Sequence, residues 1–261
     1  HEAQRVFSDG KRMLQRLIEG RWLTANAVMG FWPANRVGDD IVLYTDESRT
    51  QVALTWHGLR QQNEKTAAPG PDGKPVMRPN RCLADFVAPV GTPDYVGVFA
   101  VTAGIGVEKK EKYFTDDHDD YSAIMLKALA DRLAEAFAEC LHQRARTDLW
   151  GYAADEQWSN EELIAEKYRG IRPAPGYPAC PDHTVKRDMF ALLQADEIGM
   201  GLTESLAMTP AASVSGFYLS HPEATYFNVG TIGQDQLDDL AQRRGQAAQE
   251  WLPSSGIGGL V

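Results

Sequence analysis

The stretch "GIRPAPGYPACPDH", Gly170–His183, gathers the residue types best suited to chemistry. Arg172 offers a planar fork that matches a carboxylate. Tyr177 adds a flat face and a hydroxyl, and Gly176 lets a ligand approach the backbone closely. Pro173, Pro175, Pro178 and Pro181 each fix φ and supply no N–H. The residues before them are pushed toward extended conformations. The loop is therefore stiff before a ligand arrives, and its ordering cost is met in advance. Ala174, Gly176 and Tyr177 keep their N–H groups, and the carbonyls are read as free. Such a loop suits a small zwitterion or a nucleoside. It also suits a rigid connector or a PxxP ligand for an SH3-like module, and physics alone favours the connector slightly.

Other clusters invite the same question. Asp131 and Glu135 are four apart on a predicted helix and share one ridge. They could receive a partner's donors or act in acid–base work, or be a solvated face beside Arg132. "TDDHDDY", Thr115–Tyr121, sets His118 among four aspartates. That is a conceivable hard-metal site or an acidic helix start favoured by the dipole. Cys180 and His183 are spaced CxxH, with no second pair to complete a zinc site. "GIG" at Gly104–Gly106 and "GIGG" at Gly256–Gly259 lack a full nucleotide fingerprint and read as turns.

These residues need elements to place them. Residues 2–19 show helical spacing with Gly20 as a stop. Ile41–Tyr44 and Val52–Trp56 read as a hairpin turning over Asp46–Arg49, and Ala67–Asn80 as a surface loop. Tyr95–Thr102 reads as a buried strand. Residues 119–146 form the strongest helix, with Met125, Leu129, Leu133, Phe137 and Leu141 as its buried stripe. Ser159 and Glu162 make a capping box for a helix over 160–168. A helix over about 183–197 follows, with Gly199 as its C-cap. Val214–Leu219 and Tyr226–Ile232 read as strands, and short helices follow near Gln234–Arg244 and Ala247–Leu252. The irregular alternation predicts an α+β fold.

The chain has 261 residues and a net charge of −10, within reach of one large domain. That acidity argues against nucleic-acid binding. Cys82, Cys140 and Cys180 cannot all pair, which points to a reducing, cytoplasmic setting. No apolar run approaches the about 18 residues of a membrane span, and no signal peptide is visible. A start at His1, without Met, suggests a piece of something longer.

The longer strings carry a resemblance. "GIRPAPGYPACPDHT" resembles the S-adenosylmethionine-binding loop of the activation domain of cobalamin-dependent methionine synthase. "GFWPANRVGDDI", "LRQQNEK", "CLADFVAP", "HDDY", "MLKALADRLAEAFAE", "LTESLAM" and "SVSGFYLSHPEATYF" resemble that family in the same order. The resemblance covers nearly the whole chain. It implies a C-shaped single α+β domain over residues 1–261, with a twisted antiparallel sheet flanked by helices. It implies the C-terminal module of a methyltransferase, 5-methyltetrahydrofolate–homocysteine S-methyltransferase, which is not catalytic alone. The module would present S-adenosylmethionine for reductive methylation of cob(II)alamin to methylcobalamin. Cobalamin would sit in another module, zinc in an upstream one, and a flavodoxin-like reductase would supply the electron.

The resemblance also assigns residues. Arg172 matches the arginine that holds the methionyl carboxylate. Ala174, Gly176 and Tyr177 match the adenosine lining, and Tyr226 and Phe227 an aromatic pair beside the ligand, Phe227 replacing a tyrosine found in some members. Asp131 and Glu135 match carboxylates that meet the cobalamin module. No residue is assigned as catalytic or as a metal ligand. Two departures stand out: an upstream acidic–aromatic segment whose aspartate binds the ligand's amino group is missing, and "LPSSGIGGLV" differs from the family's acidic ending. The alternatives are reactivation of a separate corrinoid protein in trans and a domain that only docks a reductase.

Overall fold

The computed structural model describes residues 2–257, so Gly258 and Gly259 of the second glycine motif lie outside the described residues. The strands are β1 (Thr24–Val37), β2 (Asp40–Tyr44), β3 (Val52–His57), β4 (Ala68–Pro69), β5 (Pro75–Val76), β6 (Tyr95–Ile105), β7 (Gly201–Leu202), β8 (Met208–Thr209) and β9 (Ser213–Tyr218). The helices are α1 (Glu2–Glu19), α2 (Val107–Asp116), α3 (Asp120–Arg144), α4 (Asn160–Ile164), α5 (Lys186–Leu193), α6 (Gln234–Arg244) and α7 (Ala248–Ser255). The main sheet has the order β3-β2-β1-β6-β9. Its β1–β2 and β2–β3 pairs are antiparallel, and the mixed class expected from sequence holds. Among the described residues no helix is long and apolar enough to cross a membrane.

The chain resolves into two compact units. One comprises His1–Gly30, Val98–Ala154 and Met189–Ser215; the other comprises Phe31–Gly97, Asp155–Asp188 and Gly216–Val261. The first unit is built on α3. Asp119 caps it by accepting from the Ser122 N–H at 3.0 Å. Its buried ridge is not the expected one. Leu126, Ala130, Ala134, Ala138 and His142 are buried, whereas Met125, Leu129, Leu133, Phe137 and Leu141 are only half-buried. Small side chains let the helix backbone approach Ala103 and Ala212, and the larger residues flank that seam. A second cluster joins Met13, Leu17, Phe114, Ala123 and Leu126.

The second unit holds the β2–β3 hairpin, in which Asp40 faces His57 and Ile41 faces Trp56. The expected Asp46–Arg49 turn is present, and the Asp46 side chain accepts from the Ser48 N–H at 2.9 Å. Trp56 of β3 and Phe217 of β9 stack with centroids 3.8 Å apart, although their strands stand at opposite ends of the sheet order. Here the sheet curls round one core. Arg60 ties the Leu83–Phe86 turn to the hairpin, bonding Asp39 at 2.6 and 3.0 Å and Asp85 twice at 2.8 Å.

Several expected elements differ. The 14-residue β1 and the α2 helix are additional to the sequence reading. Of the "GIG" glycines, Gly104 lies within β6 and Gly106, at φ +99°, makes the strand-to-helix turn into α2. The helix expected over 183–197 is shorter, because Gln194 adopts a left-handed conformation after α5. The helix expected over 160–168 keeps its capping box but ends at Ile164. Tyr226–Ile232 is not a strand.

Candidate functional site

Arg172 gets its place from the sheet. Ile171 and Leu219 exchange both backbone hydrogen bonds, each at 3.0 Å, and the Phe217 N–H donates to the Pro173 carbonyl at 2.9 Å. Residues 171–173 therefore run along the edge of β9 as a short added strand. Proline is tolerated there because position 173 only has to accept. Alternation then sets the faces: Ile171 and Pro173 are buried, and Arg172 between them is half-exposed.

Two tyrosines hold this arginine. The Arg172 N–H donates to the Tyr226 hydroxyl at 2.9 Å. Its guanidinium donates to the Tyr168 hydroxyl at 3.3 Å and lies 5.9 Å from the centroid of that ring. Burial pushes the Tyr226 phenol above its ordinary value, with Arg172 acting against it, so the phenol is neutral. Tyr168 is absent from the sequence-based assignment; an aromatic four residues before the arginine, in a chain turning out of α4, carries no period that would mark it.

The proline loop closes on itself. Gly176 N–H donates to the Cys180 carbonyl at 2.8 Å, Tyr177 N–H to the Ala174 carbonyl at 3.2 Å, and Cys180 N–H to the Tyr177 carbonyl at 3.0 Å. The Cys180 thiol donates to the Ala174 carbonyl at 2.9 Å, and burial raises its pKa so that it stays protonated. The reading of the loop carbonyls as free is thus overturned, and the N–H groups that Gly176 and Tyr177 keep are engaged within the loop. Those groups make the loop rigid; Arg172 is half-buried, and Gly176 and the Tyr177 side chain, 61% exposed, reach solvent.

The segment after Tyr226 is anchored from two sides. Val229 N–H donates to the Pro178 carbonyl at 3.0 Å, and Gln61 donates to the Asn228 carbonyl at 2.7 Å. Gln61 itself accepts from Lys65 at 2.8 Å and from the Arg81 N–H at 3.1 Å. These single tethers stand in place of a sheet ladder, and the segment is not a strand. Phe227 packs on the cluster of Leu59, Val229, Leu237, Leu240 and Trp251. The structure thus brings Arg172, Ala174, Gly176, Tyr177, Tyr226 and Phe227 onto adjoining segments of one unit. A cavity of about 380 Å³ in the same unit is lined by Trp56, His57, Asp182 and Arg244 among others, and by none of those six. Those six residues thus lie outside that cavity, although Cys180 and Pro181 of the same loop line it.

Asp131 and Glu135 lie in the other unit, both exposed on α3. The "TDDHDDY" segment ends α2, turns at His118 (φ +57°) and caps α3 through Asp119. Among the described residues no three His, Cys, Asp or Glu side chains converge as a metal site.

Comparison with known proteins bears on this geometry. The family described as "Vitamin B12 dependent methionine synthase, activation domain" matches residues 1–245. A crystal structure of the MetH reactivation domain bound to AdoHcy is 52% identical and superposes with a TM-score of 0.90, covering 99% of this chain and 78% of that one. The match takes in the proline loop, the α3 ridge and the Tyr226 segment alike. The chain belongs to the family of vitamin B12-dependent methionine synthase activation domains.

Proposed function

We propose that this chain binds S-adenosylmethionine along the Gly170–His183 loop and presents its methyl group to cobalamin held by another module. The observation that carries the reading is Arg172, a half-buried residue whose backbone N–H is held on a sheet edge by Tyr226 and whose guanidinium donates to Tyr168. The AdoHcy bound by the 52%-identical relative supports the ligand class, since AdoHcy is S-adenosylmethionine without its methyl.

The residues fit that ligand. The Arg172 fork takes the methionyl carboxylate. The exposed Tyr177 ring and the backbone at Ala174 and Gly176 line the adenosine. Tyr226 and Phe227 form the wall beside it, and an aromatic face there attracts the positive sulfonium. No proton has to move: on losing its methyl the ligand becomes a neutral thioether that keeps the electron pair of the broken bond. A cobalamin held by another module would supply the methyl acceptor once reduced by one electron, with a flavodoxin-like reductase as the electron's source. The protein contributes position. Asp131 and Glu135 form the contact with the cobalamin module. Zinc belongs to an upstream module, and the free cysteines fit a cytoplasmic setting.

The test is calorimetric titration of S-adenosylmethionine and of AdoHcy into this chain and into Arg172→Ala. Saturable binding by the parent that weakens markedly in the variant supports the reading. Equal affinity in both sinks it.

A further inference from the structure

Gly176 raises a question that the ligand does not answer. Its φ is +97°, and a Cβ built there would lie 2.1 Å from Cε1 and 2.6 Å from Nε2 of His183. The position is glycine because an imidazole, not a ligand, occupies the space behind it. The same ring meets a second glycine. At Gly256, φ +72°, a Cβ would lie 2.4 Å from the His183 Cδ2. The His183 N–H donates to the Ser255 carbonyl at 2.8 Å, in the last turn of α7. The ring is thus wedged between the ligand loop and the C-terminal turn, and neither side leaves room for a methyl group.

We infer that His183 is a positioning residue for the ligand loop: its imidazole, clamped between Gly176 and Gly256, transmits the fixed position of α7 to the backbone beside Tyr177. This rests on the loop being the S-adenosylmethionine site. Trp251 anchors α7 in the core with Leu237 and Leu240, so the clamp has a rigid base. Without the ring, Gly176 keeps only its own bond to Cys180, and a left-handed glycine has more freedom to move than any other residue.

The wedge works as a neutral ring. Its Nδ1 is buried with no hydrogen-bond partner. Burial pushes the His183 pKa down from 6.5; Lys186 adds to that and Asp182 opposes it. Asp182 is itself engaged by Arg244 and Thr184. Neither residues 174–181 nor 255–257 carry a charged side chain. Protonation therefore puts an unmatched charge beside Lys186, and the sign follows: the clamp is intact above pH 6.5 and loosens as pH falls through the depressed value.

The experiment compares the parent with His183→Ala and His183→Phe, the second keeping a flat ring that does not titrate. Hydrogen exchange on the ligand-free chains reads the clamp. In His183→Ala the Gly176 amide should exchange about tenfold faster while the α6 amides hold their rates; in His183→Phe it should stay near the parent rate. AdoHcy titration reads the consequence. Affinity should drop about tenfold in His183→Ala and remain near parental in His183→Phe. It should fall in the parent as pH drops below 6.5 and through the depressed value, and stay flat in His183→Phe. Unchanged exchange in His183→Ala overturns the clamp. Loosened exchange with parental AdoHcy affinity overturns the positioning role. Failure of the parent to bind AdoHcy overturns the proposed function instead, and the exchange comparison still decides the clamp.

Discussion

Arg172 is fixed at its backbone by one tyrosine and at its side chain by another, and the two can be tested separately. On the proposed function, Arg172→Ala removes a charge-assisted pair with the ligand carboxylate. The expected loss is about 1.5–3 kcal/mol, roughly 10- to 150-fold in affinity by calorimetry. Arg172→Lys should recover little, because an ammonium cannot reproduce the fork. Tyr226→Phe leaves the ring but removes the hydroxyl that accepts from the Arg172 N–H and bonds with Tyr168, at a cost of about 1 kcal/mol or more in urea unfolding. The residues with the clearest local chemistry, Arg172, Gly176 and Tyr177, were legible in the sequence. Their partners were not. Tyr226 lies 54 positions from the N–H it accepts, and His183 takes the space at Gly176 through a loop closure that no spacing rule encodes.

At the scale of elements, α3 shows how a correct helix can be given the wrong inner face. The leucines and phenylalanine step by four, and so do the alanines beside them; volume ranks the first set as core, yet the closest approach to Ala103 and Ala212 belongs to the second. Ala134, 2% exposed, has no space for a larger side chain. Ala134→Leu should therefore destabilise by about 1–3 kcal/mol, lowering the thermal midpoint by circular dichroism. On the opposite ridge, Asp131→Ala and Glu135→Ala should leave AdoHcy binding unchanged and slow reactivation of the complete enzyme. A parental reactivation rate would remove them from the cobalamin contact. The strand β1 escaped detection because its burial does not alternate and Pro33 interrupts its pattern, so period-two reasoning had nothing to count.

For the molecule as a whole, charge is organised locally even though the sum is −10. Burial pushes the Asp40 carboxyl up, but His57 and Arg243 outweigh it and hold it below 3.8; Arg60 does the same for Asp85. A carboxyl held low adds stability above its ordinary value and loses it as pH falls through the folded one. Unfolding free energy should thus decline as pH falls through 3.8 toward the lower folded-state value, and more gently in Asp40→Asn. The fold class could be read from the alternation of elements, whereas the assembly of each unit from three separate segments depends on pairings that composition does not carry. One of those pairings has a consequence in concentrated solution. A sheet edge invites a strand from a second molecule wherever it shows an unused donor. On the strand added to β9, the donor that faces away from the sheet is the Arg172 N–H, and the Tyr226 hydroxyl already occupies it. The tyrosine that steadies the arginine is thereby also a guard against edge-to-edge aggregation, and light scattering should find Tyr226→Phe less soluble than the parent for a reason that has nothing to do with ligand.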